Sequence, residues 1–223
     1  MTKGKAESNF SLKRLSRIVG VTVGAVTLVA AILGTMVAVA TYYLDSSQDI
    51  RSKNAQFHSL VEEAEQRYCQ TVSEGVPVQI KLLTDRAAKI EPEIRDKVVA
   101  LEYITLASIG SMVWSHDRAH KFGELGLELG IKNGDKIEQY AANLLLGHID
   151  FLQYSDTGDG RYLNEARLHF DDASKLVRDS NSSRMLHFAG QLYVLWGAHE
   201  LLAGNDKEGN DKMQEARKAW ERL

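Results

Sequence analysis

Uncharged positions run without a break from Ile18 to Leu44, 27 residues in all, and no later stretch of the chain matches that run. A helix of that length reaches about 40 Å, more than the roughly 30 Å of a bilayer's hydrocarbon core, so the pattern predicts a membrane-spanning helix over 18–44. Tyr42 and Tyr43 fall where amphipathic rings favour the interface, and Asp45 ends the run. Within it Gly20, Gly24, Thr27, Ala31, Gly34, Ala38 and Thr41 recur at alternating spacings of four and three, which places small residues on one seam. Such a seam lets two helix backbones approach in lipid, so it is expected to pack against another membrane helix, from a second copy or another subunit.

After residue 45 the pattern changes to amphipathic helix. Ile50, Phe57, Ala64 and Thr71 share one heptad position and Asn54, Val61 and Tyr68 another, predicting a juxtamembrane helix within 45–75. It is either a coiled-coil stem or the first helix packed on the C-terminal domain. From residue 76 to 223 shorter helices alternate with glycine turns, near 78–90, 93–115, 117–130, 134–154, 161–178, 183–203 and 207–222. Pro92 suits the first turn of the second of these, and Gly130, Gly134, Gly158, Gly160 and Gly204 fall where helices should stop. The expected fold class is all-α: one N-terminal transmembrane helix followed by helical hairpins.

Composition supports helix, with two prolines in 223 residues and an apolar fraction of 44%. Charge adds an orientation. The first 17 residues carry Lys3, Lys5, Lys13, Arg14 and Arg17 against Glu7, which leaves 22 basic and 29 acidic residues beyond them, a net −7. A basic tail before an apolar span predicts a cytoplasmic N-terminus and an extracytoplasmic, in a bacterium periplasmic, C-terminal domain at the inner membrane. An acidic domain repels polyphosphate, which argues against nucleic-acid binding. The alternative is a cleaved signal peptide ending at Ala38-Val39-Ala40; the apolar run is nearly twice the length of a usual signal h-region. Cys69, the single cysteine, excludes an intrachain disulfide.

The last two hairpins repeat each other at an interval of 50 residues. Leu145, Gly147, Leu152, Asp156 and Glu165-Ala166-Arg167 return as Leu195, Gly197, Leu202, Asp206 and Glu215-Ala216-Arg217, and Phe170 is answered by Trp220. Repeats of this length imply stacked supersecondary units, with Gly147, Ala166 and Phe170, then Gly197, Ala216 and Trp220, as the expected packing positions.

On these residues the chain resembles the tetratricopeptide-repeat family. Leu146-Gly147 followed by Ala166, Phe170 and Ala173, and Trp196-Gly197 followed by Ala216 and Trp220, correspond to its leucine-glycine, alanine, aromatic and alanine positions. The likeness covers 135–223 well and 78–130 loosely, through Asp117-Arg118-Ala119, Gly123 and Gly126; the glycine-to-alanine interval is 19 residues where the family usually has 12. The resemblance implies a TPR-like α-solenoid that binds a protein or peptide on its concave face. Asn143, Leu144, His148, Phe151 and Leu152, then Val194, Ala198, Leu201 and Leu202, would line that face, with several of the leucines packing on the next hairpin instead.

Chemistry is sparse. His116 and His120 have chelating spacing on one helix face, with Asp117 and Glu124 near, but lack the HExxH glutamate and an evident third ligand, and read as solvated residues at a helix start. The loop 155–160 fails the calcium-loop pattern, because Arg161 and Arg167 occupy its sixth and twelfth positions counted from Asp156. No nucleophile elbow, phosphate loop or dinucleotide motif is present. The expectation is therefore a protein that is not an enzyme and takes no cofactor or metal: a membrane-anchored scaffold, accessory subunit or assembly factor, with a membrane-tethered chaperone as the alternative.

Overall fold

The structure, a computed structural model, describes residues 53–71, 78–178 and 182–223. Among them are eight helices and no strand: α1 Lys53–Thr71, α2 Val78–Ile94, α3 Ala100–Val113, α4 His116–Asn133, α5 Lys136–Thr157, α6 Gly160–Val177, α7 Ser183–Leu202 and α8 Asp206–Trp220. The expected fold class needs correction on one count. No described helix is long and apolar enough to cross a membrane. The most apolar, α3, has 14 residues and so is about 21 Å long, while α7 carries Arg184, His187, His199 and Glu200 along its 20 residues. The run 18–44, with Gly20, Gly24, Thr27, Ala31, Gly34, Ala38 and Thr41, lies outside the described residues.

Each helix packs antiparallel on the next, giving hairpins α1–α2, α3–α4, α5–α6 and α7–α8, and α1, α3 and α5 also touch side by side. Of the two placements open to the first helix, α1 takes the one on the domain. Phe57, Leu60, Val61, Ala64 and Tyr68 are buried in the common core, and His58 pairs with Glu102 of α3.

Local chemistry places the ends. Asp135 accepts hydrogen bonds from the backbone N–H groups of Ile137 at 2.8 Å and Glu138 at 3.1 Å, satisfying donors that the first turn of α5 cannot pair internally. Gly134 and Gly158 close α4 and α5 in the left-handed region at φ 68° and 70°. Asp135→Ala is expected to cost about 1 kcal/mol, checked by the urea midpoint of unfolding.

Pro92 departs from expectation, standing in the last turn of α2 instead of the first turn of the next helix. The break falls at 95–99, because Glu91 of α2 accepts from the Tyr103 hydroxyl at 2.6 Å and the Val99 N–H donates to Glu102 at 3.0 Å, which together start α3 at Ala100. A proline loses one helical bond wherever it sits in a helix, and two residues from the end the loss disturbs little.

Candidate functional site

α5 is the helix around which polar groups converge. It meets α4 on one side and α6 on another, and its residues also reach α7. Its middle, Leu144 to Phe151, is almost wholly buried and yet includes a histidine and an aspartate. A carboxylate in such a place needs partners.

Asp150 is 1% exposed. Its Oδ1 lies 3.3 Å from Nε2 of His120 on α4, and its Oδ2 lies 3.7 Å from Nε2 of His169 on α6. Oδ2 is buried and has no hydrogen-bond partner among the described residues. One donor atom from each of the three side chains falls within 4.8 Å of the others. The outer nitrogens of both rings are also engaged. Asn143 donates from Nδ2 to the Gln139 carbonyl at 3.0 Å, which turns its Oδ1 toward His169 Nδ1, also at 3.0 Å. Glu124 stands 3.7 Å from His120 Nδ1. The hydrogen bond to Asp150 raises the His120 imidazole above its ordinary range against the effect of burial, whereas burial pushes His169 down despite Asp150.

A second cluster joins α5 to α7. His148 Nδ1 and His199 Nε2 are 3.2 Å apart, one ring donating to the other, with the rings 13° from parallel. Phe151 stacks on His199 at 3.9 Å between centroids, and Phe170 lies 5.5 Å from it. Burial drives His148 down to about 4 and holds His199 well below the usual imidazole range, so both are neutral at pH 7.

A third set closes the end of α7. Glu200, 1% exposed, accepts from both Nε and an Nη of Arg167 at 2.6 Å each, from Asn205 Nδ2 at 2.8 Å and from Trp196 Nε1 at 3.1 Å. These residues, with Gly204 to Glu208, line an open groove of about 650 Å³.

The residues expected from the sequence scatter across this plan. His116 and His120 do not converge: His116 Nε2 pairs with Asp156 at 2.8 Å, while His120 turns to Asp150. Both are about a quarter exposed, half-buried between α4 and α5. Of the expected concave face, Asn143, Leu144 and Phe151 are interior, because the neighbouring hairpin covers α5. His148, Leu152, Val194 and Ala198 are half-buried, and Leu201 and Leu202 are exposed.

Gly147 meets its expected partners: a Cβ there would lie 2.6 Å from the Phe170 ring and 3.0 Å from the Ala166 carbonyl. Gly197 faces the Gly209 carbonyl, Lys212 and Met213 instead of Ala216 and Trp220, and Trp220 covers Gly190. The equivalence of Phe170 and Trp220 therefore fails in packing. Phe170 is 1% exposed and Trp220 43%, because Gly209 opens a close approach earlier in α8 than any small residue does in α6. The contact from Gly197 to Gly209 spans 12 residues.

Asp150, His169, His199 and Glu200 were not singled out in the sequence, since they lie on three helices and form no local motif. One signal was legible. Asp150 and Glu200 are acids inside apolar runs, one repeat of 50 residues apart. The chain matches no protein-family profile, and neither the curated proteins nor the solved structures show a match to it.

Proposed function

We propose that residues 53–223 act as a TPR-like helical scaffold, without catalysis of their own, whose work is to hold a protein partner in an assembly. The observation that carries this reading is the set of side-chain contacts that joins α5 to α7. Tyr140 donates to the Phe188 carbonyl at 2.8 Å and stacks on the Phe188 ring at 5.1 Å, and His148 meets His199, so residues some 50 apart in sequence become neighbours. Successive hairpins that stack in register build a continuous surface from their first helices, and such surfaces serve binding.

The accessible part of that surface is narrower than the nine residues drawn from the sequence. Val194, Ala198 and Leu202 recur every four residues along α7, each at least partly exposed, and Leu152 has the same status on α5. The partner is expected to present an apolar helix or extended segment of complementary shape.

The test is native electrophoresis and quantitative cross-linking of the chain in its source cells. The proposal predicts one stoichiometric complex, lost in the double variant Ala198→Arg and Leu202→Arg while the thermal melt of the purified variant stays within about 2 °C of the parent. A chain that migrates as a monomer, or a double variant that keeps its complex, overturns it.

A further inference from the structure

We propose that His120, Asp150 and His169 form a binding site for one divalent transition-metal ion, of which zinc is the representative, joining α4, α5 and α6 at one point. The site is independent of the scaffold reading, since it lies between helices and not on the α7 face.

The donor set is two imidazoles and a carboxylate, a combination that suits first-row divalent ions. Ligand bonds of about 2.0–2.1 Å in tetrahedral geometry put donor atoms roughly 3.4 Å apart. His120 Nε2 lies 3.3 Å from Asp150 Oδ1 and His169 Nε2 lies 3.7 Å from Asp150 Oδ2, and one donor atom from each of the three residues falls within 4.8 Å of the others. Binding requires the three side chains to draw together from that bound to about 3.4 Å.

Three further features separate this site from an incidental contact. The Asp150 carboxylate is buried, with Oδ1 beside the His120 ring, while Oδ2 faces His169 and finds no hydrogen bond among the described residues. An uncompensated carboxylate oxygen is costly in a protein interior, and a cation on it removes that cost. Both rings, moreover, present Nε2 inward; His169 Nδ1 hydrogen-bonds outward to Asn143 Oδ1 at 3.0 Å, while the Glu124 carboxylate stands near His120 Nδ1 at 3.7 Å, beyond hydrogen-bond distance. Ligand histidines characteristically donate their other N–H as His169 does, which sets the tautomer and aims the free nitrogen. Finally, the side chains of His120 and His169 are 26% and 23% exposed while Asp150 is 2%, so the triangle has a closed floor and an open side. An ion can enter from that side, and a fourth coordination position faces solvent.

The competing account is a plain ion pair in which Asp150 does no more than neutralise His120. The two differ in what Asp150→Asn does. That substitution keeps shape and removes the buried charge. The full chain, stripped with chelator and titrated with zinc chloride by calorimetry, is expected to bind one equivalent with micromolar or tighter affinity. Asp150→Asn and His169→Ala should each weaken it by about 100-fold, while His116→Ala, outside the triangle, stays within about threefold. Zinc should raise the melting temperature of the parent and not that of Asp150→Asn, whose metal-free melt should equal or exceed the parent's. Cobalt substituted for zinc should give visible ligand-field bands that His169→Ala abolishes. Parent affinity weaker than about 100 μM overturns the proposal, as does equal binding by both site variants, which would place the ion elsewhere. A metal-free Asp150→Asn chain that melts well below the parent, with no zinc response in the parent, would establish the ion pair.

Discussion

Phe170→Ala is expected to lower the stability of the chain by about 3–5 kcal/mol, read as a shift of the denaturation midpoint at unchanged slope. The ring sits where three elements meet. It lies over Gly147 of α5, where no side chain intervenes, and it touches the Trp196 ring at 5.8 Å and the His199 ring at 5.5 Å on α7. At 1% exposure almost all of its surface leaves water on folding. Truncation removes that transfer energy and leaves a cavity whose walls belong to three helices, so no single side chain can relax into it. Trp220→Ala supplies the comparison. That residue is 43% exposed and its ring lies over Gly190, so the loss there should be less than half as large. Equal costs at the two positions would show that the hairpins share one packing register after all.

Glu200→Ala should cost roughly 3 kcal/mol at pH 7, toward the lower end for a broken buried pair because Arg167 is about a third exposed and can recover some solvent. The damage comes from what remains. The guanidinium of Arg167, the indole N–H of Trp196 and the amide of Asn205 all lose their acceptor together. The same contacts set a pH dependence. Burial alone would raise the Glu200 carboxyl, but Arg167, Asn205 and Trp196 outweigh it and hold it below the usual glutamate range. A carboxyl depressed by folding contributes stability that is present above its unfolded value, near 4.5, and lost as pH falls through the lower folded value. Stability should therefore decline below about pH 4.5, and Glu200→Gln should flatten that part of the profile. Melts recorded from pH 7 to pH 3 on the two chains decide the matter; parallel profiles would show that Glu200 has no share in the acid response.

Helix positions were the most legible part of this chain. The stops at Gly134, Gly158 and Gly204 and the apolar stripe of α1 are local facts, set by backbone freedom, capping and a period of 3.6, and they lie where the pattern places them within a few residues, whereas the turn expected over 155–160 narrows to 158–159. Pro92, Gly130 and Gly160 are exceptions: Gly130 lies inside α4, Gly160 opens α6, and the boundary near Pro92 is drawn by Glu91, Tyr103 and Glu102 reaching between two helices.

The residue order could not show which atoms meet. Phe170 and Trp220 hold the same place in the repeat, yet one is core and the other half in solvent, since the position of a small residue on the opposing helix decides where two helices come closest. His116 and His120 share a helix face and still choose different carboxylates, Asp156 and Asp150. His120, Asp150 and His169 are separated by 30 and 19 positions and belong to three helices. The order of residues is enough to make the described residues helical and hairpin-built, because those properties depend on neighbours within a turn or two. Standing a buried aspartate between two histidines takes the packed fold, because that arrangement depends on the angle and register at which three amphipathic helices settle, and these are set by packing over the whole interface.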